Sequence, residues 1–185
     1  GLKEVQKGNI VTFGISPKRP ETGYGYLSIS KSTKGMPVKV NQFIEKPDIS
    51  TAKSMIDAGT YLWNAGIFMF RVKDMIKAYN EIAPNLLNSV EESFINGKTD
   101  LGFFRLEPNA WGKCKNISID YAIMEHLFNL VVVPFFAGWS DLGDWENVWK
   151  NMKPDQDGVV VSENAHAIEC KETLLRSESS NQEIV

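Results

Sequence analysis

Several short blocks of this sequence combine carboxylates, amides, glycines and aromatics in ways that packing alone does not require. The densest is Gly138-Trp139-Ser140-Asp141-Leu142-Gly143-Asp144-Trp145, where two tryptophans bracket two acids and two glycines. It follows the apolar run Val131 to Phe136, which reads as a buried strand. A carboxylate at a strand end can cap the next helix, or hold a divalent cation against phosphate oxygens. Asp144 fits the cap. Asp141, in the turn, is the better candidate for a metal ligand, although this stretch alone leaves a turn or capping role equally open.

Glu21-Thr22-Gly23-Tyr24-Gly25-Tyr26 pairs glycines with tyrosines. Glycine lets a ligand approach the backbone closely, and tyrosine offers a flat face with a hydroxyl, a combination that suits a sugar ring. The plainer reading is a glycine-rich turn with two packing aromatics. Phe43-Ile44-Glu45-Lys46-Pro47 ends a strand with an acid beside a base. Strand neighbours point to opposite faces, so an intimate Glu45–Lys46 pair is not expected. Glu45 is suited to accept hydrogen bonds from hydroxyls and Lys46 to meet a phosphate; the alternative is two solvated charges before a proline turn.

Tyr61-Leu62-Trp63-Asn64-Ala65-Gly66-Ile67-Phe68 sets Asn64 and Gly66 at the mouth of a buried strand. Asn64 carries both a donor and an acceptor, as reading sugar hydroxyls requires, but it can equally be a turn residue. Trp63, Phe68 and Phe70 read as core. Ser118-Ile119-Asp120-Tyr121 has a serine and an acid but no evident histidine, so capping a helix is the better reading than nucleophilic catalysis. Neither GxxxxGK[ST] nor GxGxxG occurs, so residues 1–185 contain no phosphate-cradling loop of those types.

The elements that must position these blocks alternate between strand and helix. Strands are expected at Ile10 to Ile15, at Val38 to Glu45, at Gly66 to Phe70 and at the Val131 run. In the second of these, Val38, Val40, Gln42 and Ile44 share one face and Phe43 takes the other. Pro47-Asp48-Ile49-Ser50 starts a helix with a stripe of Ala52, Met55 and Ile56, and Gly59 is its stop. Val72, Met75, Ile76 and Tyr79 give a second stripe, ended by Pro84; Leu86, Leu87, Val90, Phe94 and Ile95 give a third. Ser118 caps a helix burying Ile119, Ala122, Ile123 and Leu127, and a last helix buries Trp145, Val148, Trp149 and Met152. Such alternation argues for an α/β architecture. From about Asp155 the pattern changes to short strands, Val159 to Val161, Ala165 to Cys170 and Thr173 to Leu175, joined by tight turns.

Composition excludes several classes. A chain of 185 residues with 43% hydrophobic and 23% charged content is ordinary globular material. A net charge of −3 gives no basic footprint, so nucleic acid is not an expected partner. No apolar run approaches a membrane span. Cys114 and Cys170 stand far apart without CxxC spacing, which argues against disulfides and zinc and suits a reducing cytoplasm. His126 and His166 are too few for a histidine metal site. The start at Gly1-Leu2-Lys3-Glu4 lacks an initiator Met and leads almost at once into a strand, and Gln182-Glu183-Ile184-Val185 reads as a strand beginning. Both ends therefore read as cut.

Taken in order, ETGYGY at 21–26, FIEKP at 43–47, WNAGIF at 63–68, SIDYAIME at 118–125 and GWSDLGDW at 138–145 closely resemble bacterial mannose-1-phosphate guanylyltransferases. Val11-Thr12-Phe13-Gly14-Ile15 joins the resemblance, which runs through Asp157-Gly158 and so covers nearly the whole chain. It implies a partial Rossmann-like, GT-A-like nucleotidyltransferase core over residues 1–153, followed by the start of a β-rich extension over residues 154–185. It also implies that mannose 1-phosphate and GTP are joined, with Mg²⁺, into GDP-mannose and pyrophosphate. On that resemblance Gly23, Gly25 and Tyr26 line the sugar pocket and Glu45 binds sugar hydroxyls. Lys46 meets the sugar phosphate, Asn64 and Gly66 contact the mannose, and Asp141 is one of two metal-holding acids. The reaction, attack of a phosphate oxygen on the α-phosphorus, needs no protein nucleophile.

The family's glycine-rich GxGTRLWP-type loop is not in this sequence, so residues 1–185 alone are expected to be inactive or nearly so. Strand faces and ladder edges left open favour self-pairing, and a homo-oligomer is an expectation. Two rivals stand beside this reading: a uridylyl- or thymidylyltransferase acting on glucose 1-phosphate, and a non-catalytic sugar-nucleotide-binding module.

Overall fold

The apolar, β-branched runs form the centre of the sheet. Strands β1 (Ile10–Ile15) and β7 (Leu130–Phe135) lie parallel, in register from Ile10 opposite Leu130 to Ile15 opposite Phe135. Burial on both faces explains why both segments read as continuous apolar runs. The other pairings are antiparallel: β4 (Tyr61–Met69) joins β1 to β2 (Tyr26–Ile29), and β2 joins β3 (Val38–Ile44). Val38 and Lys39 of β3 meet Val132 and Val131 of β7, which closes the sheet into a barrel ordered β1-β4-β2-β3-β7. With helices packed around it this is a mixed α/β fold, as the alternating pattern implied. The computed structural model describes residues 1–30, 35–179, 181, 183 and 184. They form two compact units, Gly1–Ala137 and Gly138–Val185.

Ile10, Leu27, Ile123, Met124, Leu130 and Val132 fill the core of the first unit, with Phe43 and Leu62 against them. Gly14 is required there. A Cβ on it would stand 2.5 Å from Val132 Cγ2 and 2.7 Å from Leu62 Cδ1. Two ladder irregularities reshape the barrel. Ser28 pairs with Gln42 but Ile29 with Val40, which leaves Asn41 as an extra residue in β3. Strict alternation therefore fails: Val40 and Phe43 are both buried while Gln42 is exposed. Thr12 pairs with Phe68 but Gly14 with Asn64, so Ala65, Gly66 and Ile67 of β4 stand against Phe13 alone.

The helix signals with local causes are present. Helix α2 (Ile49–Ala58) is capped by Asp48, whose carboxylate accepts from Ser50 N–H and Thr51 N–H, and it stops at Gly59 with φ +67°. Hydrogen bonds from the hydroxyls and N–H groups of Ser50 and Thr51 hold the Asp48 carboxyl far below its usual range. Helix α3 (Val72–Ile82) buries Met75 and Ala78, whereas Val72 and Ile76 of the expected stripe stay exposed. Helix α4 (Pro84–Ile95) buries Ser93; Phe94 and Ile95 are exposed, and the Phe94 ring lies 5.1 Å from that of Phe104. Phe104 belongs to a hairpin of β5 (Lys98–Asp100) and β6 (Phe103–Arg105) that the sequence pattern did not reveal. Its turn, Leu101-Gly102, has positive φ at both residues, and leucine seldom signals that geometry. Helices α1 (Leu2–Gln6) and α5 (Pro108–Gly112), and strand β2, were likewise not anticipated. Helix α6 (Ile119–Ala122) starts at the Ser118 cap and passes into a 3-10 turn, Met124–His126.

In the second unit, α7 (Trp145–Asn151) is capped by Asp144, whose carboxylate accepts from Asn147 N–H at 2.7 Å. Val148 and Trp149 are half-buried, but Trp145 and Met152 remain exposed. Trp149 Nε1 donates to Gly158 O at 2.8 Å. Strands β8 (Val160–Val161) and β9 (Leu174–Leu175) pair in parallel. The stretch read as a strand from Ala165 to Cys170 makes one bridge, Ala165 with Ile184. Gln182 and Val185, the ends of the expected last strand, lie outside the described residues.

Candidate functional site

The irregularity in β4 builds the site. Gly66, at φ +70°, lets the strand bulge away from β1. Asn64, read as a mouth or turn residue, therefore lies inside a nine-residue strand and is buried. Its amide oxygen accepts from Thr12 Oγ1 at 2.7 Å, and its Nδ2 donates to Asp120 Oδ1 at 3.3 Å. Its backbone N–H donates to Gly25 O at 2.8 Å, which ties β4 to the glycine-tyrosine block.

Glu45 arrives at the same place from the end of β3. Its backbone N–H donates to Glu125 Oε1 at 2.9 Å, and its side chain is 8% exposed. A Cβ on Gly25 would stand 2.5 Å from Glu45 Oε2, so the missing side chain makes room for that carboxylate. Burial, with the charge of Asp120 adding to it, raises the Glu45 carboxyl above its usual range despite the nearby Lys46 ammonium. Burial likewise raises Asp120. The expected separation of Glu45 and Lys46 does not hold. Lys46 Nζ stands 3.4 Å from Glu45 Oε1, because Lys46 has left the strand for left-handed backbone, φ +48°, where alternation no longer applies. Its N–H donates to Tyr24 O, and the Tyr121 hydroxyl donates to Glu45 O.

The remaining expected residues divide. Gly23 is exposed, and its N–H donates to Glu21 Oε1 at 3.2 Å. Tyr26 is a correction: it is fully buried, and its hydroxyl closes the loop by donating to Glu21 O and accepting from Glu21 N–H. It braces the block from inside and presents no surface to a sugar. Trp63 is buried as expected, its ring centre 5.3 Å from that of Tyr24 at a nearly perpendicular tilt, with the Arg19 guanidinium 5.9 Å over it. Gly66 is exposed, and a Cβ there would meet no neighbour within 4 Å. Its positive φ is what demands glycine.

Asp141 lies in the second unit, exposed, in the loop before the Asp144 cap. Among the described residues no group of three or more His, Cys, Asp or Glu side chains could hold a metal ion. A lone carboxylate such as Asp141 suits Mg²⁺ only as one ligand among waters and substrate phosphates. An apolar groove of about 510 Å³ beside α3, α4 and α5, lined by residues such as Tyr79, Leu87 and Trp111, contains none of these side chains.

Gly25, Glu45, Lys46 and Asn64, from three separate blocks, thus meet at one rim of the barrel. Sequence reasoning missed Thr12, Asp120 and Glu125. Thr12 is a polar residue in an otherwise apolar run, and that was the available signal; Asp120 had been assigned to a helix start. Together these groups offer a buried carboxylate acceptor, a fixed amide and a mobile ammonium, which is equipment for binding a hydroxylated, phosphorylated ligand.

Known proteins resemble this chain in sequence and in fold. Residues 2–158 match the model of the nucleotidyl transferase family. The mannose-1-phosphate guanylyltransferase of Salmonella muenchen is 37% identical over 174 residues, 94% of this chain and 37% of that protein. The Sinorhizobium fredii protein of the same name is 38% identical over 175 residues, 95% of this chain and 34% of its own length. The chain thus spans about a third of the curated relatives it matches. A Thermus thermophilus structure, described as a mannose-1-phosphate geranyltransferase, superposes with a TM-score of 0.72 at 28% identity, covering 89% of this chain and 47% of that one. With a family match that takes in both the barrel and the rim residues, the chain belongs to the nucleotidyl transferase family.

Proposed function

We propose that this chain is the sugar-phosphate-binding part of an enzyme that makes GDP-mannose and pyrophosphate from mannose 1-phosphate and GTP. The observation that supports it best is the meeting of Gly25, Glu45, Lys46 and Asn64 at one rim. Glu45 accepts hydrogen bonds from sugar hydroxyls, and Asn64 reads a further hydroxyl with its amide. Gly23 and Gly66, both exposed, keep the backbone open to the ring, and Gly25 leaves the room that the Glu45 carboxylate takes. Lys46 is 54% exposed on a flexible stem, so it can leave Glu45 for the sugar phosphate. Alignment and charge neutralisation are what the reaction needs from protein, and no side-chain nucleophile takes part.

Asp141 is the residue that would hold Mg²⁺, which when bound neutralises charge on the phosphates. No described helix is long and apolar enough to cross a membrane. We place the enzyme in the cytoplasm, as a homo-oligomer, with residues 154–185 opening a β-rich extension. The names of the relatives favour mannose 1-phosphate over glucose 1-phosphate.

Calorimetric titration of the chain with both sugar phosphates, alongside a turnover assay with GTP, tests this reading. Preferential binding of mannose 1-phosphate, with turnover by the 185 residues alone far below that of an intact relative, is the expected result. No preference, or a full rate with UTP and glucose 1-phosphate, contradicts it.

A further inference from the structure

We propose that Thr12 and Asp120 are positioning residues that lock the amide of Asn64 in one orientation, so that it serves the sugar as a hydrogen-bond donor beside the Glu45 acceptor. This rests on the sugar-phosphate reading above and assigns the roles within it.

An asparagine amide can turn over at little cost unless its neighbours forbid it. Here two neighbours do. Asp120, as a carboxylate, can only accept, and its Oδ1 stands 3.3 Å from the amide, so the nitrogen must face it. The oxygen then faces Thr12, whose hydroxyl donates to it at 2.7 Å. The single Thr12 hydroxyl proton has a second, longer acceptor in Ile67 O at 3.2 Å, in the bulge of β4, and the shorter contact to Asn64 is the stronger claim on it. Thr12 is fully buried and Asn64 nearly so, so neither bond is exchanged with bulk water.

One N–H of the amide is used on Asp120, and the amide oxygen is used on Thr12. The second N–H is unused among the described residues. With its oxygen held against the fully buried Thr12, Asn64 meets a sugar hydroxyl through that N–H. Glu45, an acceptor only, stands on the other side of Gly25. A donor on Asn64 and an acceptor on Glu45 select a hexose whose hydroxyls present the opposite pair. Removing the Asp120 carboxylate frees the amide to turn over and offer its oxygen instead, since the Thr12 hydroxyl can accept as well as donate, and the selection is lost without loss of the residue that makes the contact.

The test titrates mannose 1-phosphate and its monodeoxy analogues into the wild-type chain and into Thr12→Val, Thr12→Ser and Asp120→Ala, each checked for cooperative unfolding. The wild type should reject at least one deoxy analogue by about tenfold, the worth of one well-placed hydrogen bond. Asp120→Ala should reduce that rejection to about twofold or less, Thr12→Val, in which Asp120 still holds the nitrogen, should reduce it by less, and Thr12→Ser should keep it. Wild-type discrimination in Asp120→Ala overturns the proposal. So does equal loss in Thr12→Ser and Thr12→Val, which would mean a packing role. Should Thr12→Val not fold, Asp120→Ala decides between the two outcomes. Failure of the wild type to bind mannose 1-phosphate counts against the sugar-phosphate reading itself, whereas binding with unaltered discrimination in the variants counts against the locking alone.

Discussion

The barrel rim and the Gly138–Met152 segment both carry conspicuous acids and amides, yet they are held together over very different sequence distances. At the rim, Thr12 to Asn64 spans 52 residues, Asn64 to Asp120 spans 56, and Glu45 to Glu125 spans 80. In the later segment the bonds are short-range: Asp144 to Asn147 spans 3 residues and Glu146 to Lys150 spans 4. The rim exists only when the whole first unit has folded, while the segment around α7 assembles largely from its own sequence. Recognition and global fold should therefore fail together at the rim, and separately around α7.

The largest effect is expected from Glu45→Ala. Losing a buried carboxylate acceptor should weaken mannose 1-phosphate binding by about a hundredfold in calorimetry, since bonds to a charged group are the stronger kind. Asp141→Ala should leave that affinity within about twofold; equal losses in the two variants would erase the contrast between regions.

The two buried glycines sharpen it within the first unit. Gly14→Ala drives a methyl into Val132 and Leu62 and should cost about 2 kcal/mol in urea unfolding. Gly25→Ala displaces the end of the flexible Glu45 side chain and crowds Phe43. It should cost less stability than Gly14→Ala yet weaken sugar-phosphate binding about tenfold. A reversal of that order would mean Gly25 serves packing.

A smaller effect, about 1 kcal/mol of helix-cap loss, is expected for Asp144→Ala. It should appear as faster amide hydrogen exchange across α7 with mannose 1-phosphate affinity unchanged. Loss of affinity in this variant would contradict a cap of purely local effect.

The subtlest prediction concerns pH. The raised Glu45 carboxyl takes up a proton more readily folded than unfolded. Its ionised form therefore disfavours the fold at neutral pH, and that penalty is relieved as pH falls through the raised value toward 4.5. Glu45→Gln should accordingly be the more stable protein near neutral pH, with the gap closing on acidification. Binding runs the other way, because only the carboxylate accepts from hydroxyls, so wild-type affinity should fall over the same window. A stability gap independent of pH would remove burial as the cause.

What was legible in the sequence follows the same divide. Asp48, Gly59, Ser118 and Asp144 were readable as caps or stops because capping involves groups within a few residues. The residue types of the candidate site were readable too, as was the α/β fold. The partnership of Asn64 with Thr12 and Asp120 was not, since nothing local marks which distant polar groups will meet. Bulges defeated the rest. The extra Asn41 put Val40 and Phe43 on the same side against strict alternation, and Gly66 hid a nine-residue strand behind what looked like a short one. Glu45 and Lys46 escaped the strand rule once Lys46 turned left-handed.

The most direct trial is a crystal structure of the protein with mannose 1-phosphate. The account predicts ring hydroxyls within hydrogen-bond reach of the Glu45 carboxylate and the Asn64 amide nitrogen, with the phosphate on Lys46. A sugar bound elsewhere, with Glu45 still paired to Lys46 and Asn64 untouched, would contradict it.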